Sequence, residues 1–135
     1  MEFLIDSNVL LDVLTDDPTW QAWSGDRLAE CADRGALVIN PIIYAEVSIG
    51  FLRIEELEAA LPSRTFRRDP LPWEAAFLVG KAFLSYRKNR GTRRTPLPDF
   101  YIGAHASVAG LTLVTRDPER YRTYFPRLPV IAPMG

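Results

Sequence analysis

Apolar residues fall into two kinds of pattern along this chain. Short, nearly unbroken runs recur at Phe3-Leu4-Ile5, Ala36-Leu37-Val38-Ile39 and Leu111-Thr112-Leu113-Val114, the length and make-up of strands buried on both faces. Between them apolar positions return every three or four residues, which is the helical period. Val9, Leu10, Val13 and Leu14 continue in that period directly after the first run. Asp16-Asp17-Pro18 reads as the start of the next helix, with Pro18 near its first position, Trp20, Trp23, Leu28 and Cys31 along it and Gly35 as its stop. Asn40-Pro41 ends the second strand and opens a helix over about 41–51, and a further helix runs over 55–61 to Pro62. Thr65 to Arg68 reads as a short strand. The longest helical pattern spans 72–90, with Trp73, Ala76, Phe77, Gly80, Phe83, Leu84 and Arg87 at helical spacing. Pro98-Asp99 opens a helix over 100–109 that Gly110 stops, Pro118 opens a short one, and Pro129-Val130-Ile131 makes a last short strand. Alternating strands and helices with near-continuous apolar strands predict an α/β fold: a parallel sheet covered by helices on both faces.

Composition narrows this picture without changing it. With 135 residues, 47% of them hydrophobic, the chain suits a single domain over 1–135 with one core. No apolar run approaches the roughly 20 residues needed to span a bilayer. Glu2 and Asp6 replace the positive start of a secretory signal. One cysteine, Cys31, excludes an internal disulfide framework and reads as a small core or boundary residue. The expected compartment is the cytoplasm.

Charge does change it. The net charge of −1 hides an asymmetry: residues 1–62 hold twelve acidic against three basic residues, while residues 63–135 hold thirteen basic against five acidic. Such a split points to a polyanionic partner for the second half, or to two faces that neutralise each other within one fold or across a dimer. The segment Arg87-Lys88-Asn89-Arg90-Gly91-Thr92-Arg93-Arg94 is the densest basic stretch.

Four carboxylates stand out by position. Asp6 and Asp117 each follow a strand directly, at the carboxyl edge where open α/β sheets build their sites. Asp99 lies in the first turn of a helix, where capping is the ordinary explanation. Glu46 sits among apolar and small residues in Ile42-Ile43-Tyr44-Ala45-Glu46-Val47. A charge buried there costs several kcal/mol unless something positive compensates it. A distant arginine could do so, Arg53 being the nearest on that stretch; a cation shared with the other carboxylates explains it better. Acidic oxygens without companion Cys or His suit a hard divalent cation, Mg²⁺ or Mn²⁺. The lone histidine, His105, reads as a packed, hydrogen-bonded helix residue. No glycine-rich phosphate loop is present. Acidic metal ligands beside an arginine-rich segment fit phosphodiester hydrolysis.

These residues together resemble the PIN-domain nucleases, and among them the VapC-type ribonuclease toxins of bacterial toxin–antitoxin pairs. Leu4-Ile5-Asp6-Ser7-Asn8 matches the opening hydrophobic-Asp-Ser/Thr-Asn pattern. Asn40 to Val47 carries the glutamate of an early helix, Pro98 to Ala106 the aspartate opening a later one, and Leu113-Val114-Thr115-Arg116-Asp117 the last acid. The resemblance implies a PIN-like three-layer sandwich with a central parallel sheet of four to five strands, and endonucleolytic cleavage of RNA. It carries Asp6, Glu46, Asp99 and Asp117 over as catalytic, metal-site residues, with Ser7, Asn8 and Thr115 as their neighbours. On this reading Asp6, Asp99 and Asp117 ligate the metal, while Glu46 orients or deprotonates the attacking water or adds a ligand. Arg116, Arg87, Lys88, Arg90, Arg93 and Arg94 become candidate phosphate contacts. Many relatives carry a further acid just past the third position; Phe100-Tyr101-Ile102-Gly103 supplies none, so one firmly held ion is expected, with a second recruited when RNA binds. A small VapB-type antitoxin and a homodimer are implied partners, with the Trp20, Trp23 and Phe51-Leu52 region as candidate apolar surface. The alternatives are a PIN nuclease outside a toxin–antitoxin pair and a catalytically silent binding module. A phosphoacceptor receiver domain needs an acidic pair after the first strand and a late lysine, and Asp6-Ser7 and Thr115-Arg116 supply neither.

Overall fold

The structure is a computed structural model and describes residues 1–89, 91–92 and 97–134. The elements alternate as β1 (Glu2–Ile5), α1 (Ser7–Leu14), α2 (Gln21–Arg34), β2 (Ala36–Ile39), α3 (Pro41–Ser48), α4 (Ile54–Ala60), β3 (Phe66–Arg68), α5 (Trp73–Lys88), α6 (Pro98–Ala109), β4 (Thr112–Val114), α7 (Glu119–Tyr124) and β5 (Val130–Ile131). All pairings are parallel, in the order β3-β2-β1-β4-β5. The α/β expectation holds, at five strands flanked by helices.

The central place of β1 follows from its composition. Phe3, Leu4 and Ile5 are fully buried, as are Val38, Leu113 and Val114 on the strands to either side. In register, Leu4 stands opposite Val38 on one side and Leu113 on the other. From β1 the chain builds outward through β2 and β3, then returns to the other side of β1 as β4 and β5. The strand order therefore reverses between β1 and β4, and in open α/β sheets the crevice beyond the carboxyl ends at such a point is where ligands bind. Asp6 leaves β1 there, and Thr115 leaves β4. The helix α6, which delivers Asp99, ends at Gly110 in the left-handed conformation (φ 70°), which glycine adopts without strain.

Several boundaries differ from the sequence reading. The second helix begins at Gln21 rather than Pro18, because the Asp17 carboxylate accepts from the backbone N–H groups of Thr19 and Trp20 and holds 18–20 as a turn. α3 stops at Ser48, short of Phe51. In α5 the bulky stripe faces outward: Trp73 is 88% and Phe77 70% exposed, and Leu84 is also exposed, whereas Ala75, Val79 and Ala82 are buried. Small residues let α5 approach α6 closely, so the large ones are left on the far side. Trp20 and Trp23, expected as apolar surface, are half-buried, each with an arginine over its ring, Arg116 and Arg27. Leu52 is fully exposed, together with Ile49 and Ile54.

Part of the charge asymmetry closes within the fold. Arg67 pairs with Glu2 and Asp69, Arg68 with Glu58, and Arg116 with Asp12. Cys31 is a buried free thiol. Among the described residues no helix is long and apolar enough to cross a membrane.

Candidate functional site

The site begins with the turn that ends β1. Asp6 is the N-cap of α1: its Oδ1 accepts from the Ser7 backbone N–H at 2.8 Å. Capping and site duty thus fall on the same carboxylate, through different oxygens. Its Oδ2 accepts from the Thr115 hydroxyl at 2.8 Å and from the Tyr121 hydroxyl at 3.0 Å. The Ser7 hydroxyl donates to Glu46 Oε1 at 2.8 Å, tying α3 to the same turn. Asn8 spans to the end of β4: its Nδ2 lies 3.2 Å from Thr115 Oγ1 and 3.4 Å from Asp117 Oδ2, and its Oδ1 accepts from the Arg116 backbone N–H. Thr115, fully buried, also accepts from the Asp117 N–H at 3.1 Å. Asn8, Thr115 and Asp6 therefore form one relay across the crevice.

Asp99 enters through Tyr121. The Tyr121 hydroxyl, on a side chain 1% exposed, lies 3.0 Å from Asp6 Oδ2 and 3.3 Å from Asp99 Oδ1. A phenol has one proton to donate, so the two carboxylates share it. Burial and the two adjacent carboxylates push the Tyr121 pKa well above its ordinary value, so it remains a phenol and a donor. Gly103 on α6 makes room for this: a Cβ there would sit 2.5 Å from the Phe125 ring and 3.1 Å from that of Tyr121. On its outer oxygen Asp99 accepts from Arg120 at 3.0 Å.

The electrostatics are those of carboxylates short of positive charge. Asp6 is 3% exposed, and its pKa is pushed up to about 6, first by burial and further by repulsion from Asp99, against the lowering effect of its hydrogen bonds. Burial likewise raises Glu46, with Asp99 contributing. Arg53, the arginine that could have compensated Glu46, pairs with Glu55 instead. Among the described residues no cation lies against Asp6 or Glu46.

Of the expected site residues, the structure links Asp6 and Asp99 through one hydroxyl, Glu46 through Ser7, and Asp117 through Asn8. Three acidic, histidine or cysteine side chains close enough to hold an ion together do not occur among the described residues. The donor set nevertheless fits a hard cation. It is all oxygen, and Mg²⁺ characteristically takes one or two carboxylates and keeps several waters. Asp6 and Asp99 could hold such an ion, with Asp117 and Glu46 flanking it. His105 stays out of the site; its Nδ1 lies 3.0 Å from the Asn40 amide, and burial lowers its pKa.

Arg116, expected against phosphate, has an internal role. Its Nε donates to both oxygens of the buried Asp12, at 2.8 and 3.1 Å, and Ser24 donates to the same carboxylate at 2.7 Å. Arg87 and Lys88 lie exposed in the last turn of α5, while Arg90, Arg93 and Arg94 fall outside the described residues. Tyr121, Arg120 and Asp12 were missed in the sequence. No local signal marks Tyr121, the third residue of α7, because the partners that define its role lie on other elements.

Comparison with known proteins follows the same lines. No curated protein matches the chain by sequence. Among solved structures, one described as VapBC2 from Rickettsia felis bound to a DNA fragment from the promoter is similar at a TM-score of 0.77 and 17% identity, over 99% of this chain and 100% of that one. VapBC-1 from nontypeable Haemophilus influenzae is similar at 0.74 and 19%, over 98% of both chains. FitAcB from Neisseria gonorrhoeae is similar at 0.64 and 23%, over 96% of both. At these identities the likeness is one of fold. A family model described as PIN domain matches residues 3–126, and the chain accordingly belongs to the PIN domain family.

Proposed function

We propose that this protein is a Mg²⁺- or Mn²⁺-dependent endoribonuclease, the toxin of a VapBC-type pair, acting in the cytoplasm and held inactive by a cognate VapB-type antitoxin. The observation that carries the nuclease reading is the pair Asp6 and Asp99, joined on one buried hydroxyl at the switch point of a PIN fold, with no cation against Asp6 among the described residues. Similarity to chains of VapBC and FitAcB complexes supports the toxin reading and the antitoxin as partner.

The chemistry a divalent ion would supply there is a lowered pKa for a bound water and compensation of charge building on phosphorus. The residues of the chain do the rest. Asp6 and Asp99 would hold the ion, with Asp117 beside them. Glu46, fixed by Ser7 and raised by burial toward the proton-accepting range, orients or deprotonates the attacking water. Thr115, Asn8 and Tyr121 fix the carboxylates in direction. Arg87 and Lys88, exposed in the last turn of α5, are the described part of the basic stretch that would contact backbone phosphates. For the homodimer, the outward apolar stripe of α5 and the exposed Leu52 region are the available surfaces.

Purified protein incubated with end-labelled single-stranded RNA should cleave it with Mg²⁺ or Mn²⁺ and not in EDTA. Asp6→Ala and Asp99→Ala should abolish cleavage and leave the circular dichroism spectrum unchanged, since each removes a like charge from the pair. Full metal-dependent activity in Asp6→Ala would sink the assignment.

A further inference from the structure

The two acids of the pair are treated differently by their surroundings. Asp6 accepts from neutral donors, the Ser7 N–H and the Thr115 and Tyr121 hydroxyls. Asp99 accepts from a cation: its Oδ1 lies 3.3 Å from the Tyr121 hydroxyl, and its Oδ2 accepts from Arg120 Nη1 at 3.0 Å. Arg120 thus stands on an oxygen that an ion shared by the pair would need. How firmly it stands there can be judged against Arg116, which leaves the same end of β4. Arg116 gives its Nε to both oxygens of the buried Asp12, at 2.8 and 3.1 Å, and lies over the Trp20 ring at 5.6 Å, with its side chain 26% exposed. Arg120 meets Asp99 through one nitrogen on one oxygen, with its side chain 43% and that of Asp99 31% exposed. A pair this open to water contributes little, because solvent screens it and holding a long side chain in place costs entropy. Arg116 is a fixture, and Arg120 is free to leave.

Where it goes follows from where it starts. Whatever is held by an ion on Asp99 Oδ2 lies within the swing of a guanidinium already 3.0 Å from that oxygen. The nuclease reading above puts a phosphodiester there, and the planar fork of an arginine matches phosphate oxygens two at a time. We propose that Arg120 is a catalytic residue of RNA cleavage: it neutralises Asp99 while the ion is away, gives up Oδ2 when the ion binds, and turns its guanidinium onto the scissile phosphate. There it offsets the charge that builds on the phosphate oxygens as water attacks. The assignment rests on the nuclease reading and deepens it, by adding one basic group to a site otherwise read from its acids.

The test compares Arg120→Gln and Arg120→Lys with the unmodified protein in two assays. Mn²⁺ alone, titrated into the RNA-free protein with the free ion counted by electron paramagnetic resonance, gives ion affinity without catalysis. Cleavage of end-labelled single-stranded RNA at saturating Mg²⁺ gives kcat and KM. Arg120→Gln removes the competitor for Asp99 and should tighten Mn²⁺ roughly two- to fivefold, the weight of an ion pair this open to water. The same variant should lower kcat roughly 100-fold or more, with a smaller change in KM. Arg120→Lys keeps the charge and loses the fork, so its Mn²⁺ affinity should stay near that of the unmodified protein while part of the lost kcat returns. The opposed signs separate this role from a structural one, since a residue that only braced Asp99 would weaken Mn²⁺ binding and kcat together when removed. Weaker Mn²⁺ binding in Arg120→Gln, or a kcat unchanged at saturating Mg²⁺, would overturn the proposal. Neither Mn²⁺ binding nor cleavage in the unmodified protein would instead overturn the nuclease reading on which it rests.

Discussion

The pair Asp12–Arg116 allows a stability prediction with an asymmetry built in. Asp12 is 2% exposed, while the Arg116 side chain is 26% exposed. Their contact is short on both carboxylate oxygens, and Ser24 gives Asp12 one further hydrogen bond. Replacing Arg116 by Met leaves a buried carboxylate with one hydroxyl partner, a defect that costs about 3–5 kcal/mol when a charge has no route to water. Asp12→Ala leaves the more exposed guanidinium, which can turn outward, so its cost is the lost charge-assisted hydrogen bonds, about 1.5–3 kcal/mol. The double variant Asp12→Leu with Arg116→Met removes both charges together and should lie within about 1 kcal/mol of the parent. Urea unfolding at neutral pH in EDTA measures all three, with unchanged m-values as the check that the unfolded state is the same. At this size a loss of 1 kcal/mol lowers Tm by about 3–5 °C, so the single variants should separate clearly. If Arg116→Met proves milder than Asp12→Ala, or if the double variant loses the sum of the singles, the two side chains do not stabilise each other as described.

Three further outcomes are expected. Asp6 has its folded pKa raised from 3.8 to about 6, so the folded state binds more protons than the unfolded state between those values, and the metal-free protein should lose stability as pH rises from about 4 to 6. The displacement corresponds to about 3 kcal/mol at most; Asp6→Asn should raise Tm at pH 7 in EDTA and flatten that slope, and an unchanged slope by calorimetry counts against the burial argument. Tyr121→Phe keeps the packed ring and removes the shared proton donor, which should cost about 1–3 kcal/mol and weaken Mg²⁺ binding by roughly 10-fold, both readable by titration calorimetry and thermal melts. Gly103→Ala pushes a methyl into the Phe125 and Tyr121 rings and should lower stability by about 1–3 kcal/mol, with the Tyr121 hydroxyl displaced from Asp6 and Mg²⁺ binding weakened in parallel.

What the sequence reveals here depends on whether a residue's role is set by its neighbours in the chain. Phe3-Leu4-Ile5 announces a central strand because burial on both faces leaves no polar alternation, and Asp6 then stands out as the polar residue that ends it. Glu46 is visible for the opposite reason, as a charge among apolar residues. Tyr121 is invisible because nothing in Arg120-Tyr121-Arg122 distinguishes a core aromatic from a hydroxyl aimed at two carboxylates; its role is set by Gly103 on another helix. The α5 stripe misleads because periodicity reports two faces and not which one turns inward. Ala75, Val79 and Ala82 win the inner face by being small enough for close approach. Arg116 sits in a basic half of the chain, but its partner Asp12 lies 104 residues earlier, and charge counts carry no such pairing.

The strand order bears on when the site can form as the chain is made. Asp6 is made well before the groups that orient it: the Thr115 hydroxyl lies 109 residues later in the chain, and that of Tyr121 115 residues later. At about 5–20 residues per second, the first carboxylate waits several seconds for β4 to dock beside β1 and for α7 to cover the crevice. Until then Asp6 and Asp99 lack the hydroxyl they share, so a chain without β4 and α7 carries the early motifs and not the assembled site. A site assembled in this order is complete only after the chain past Tyr121 has been made and docked.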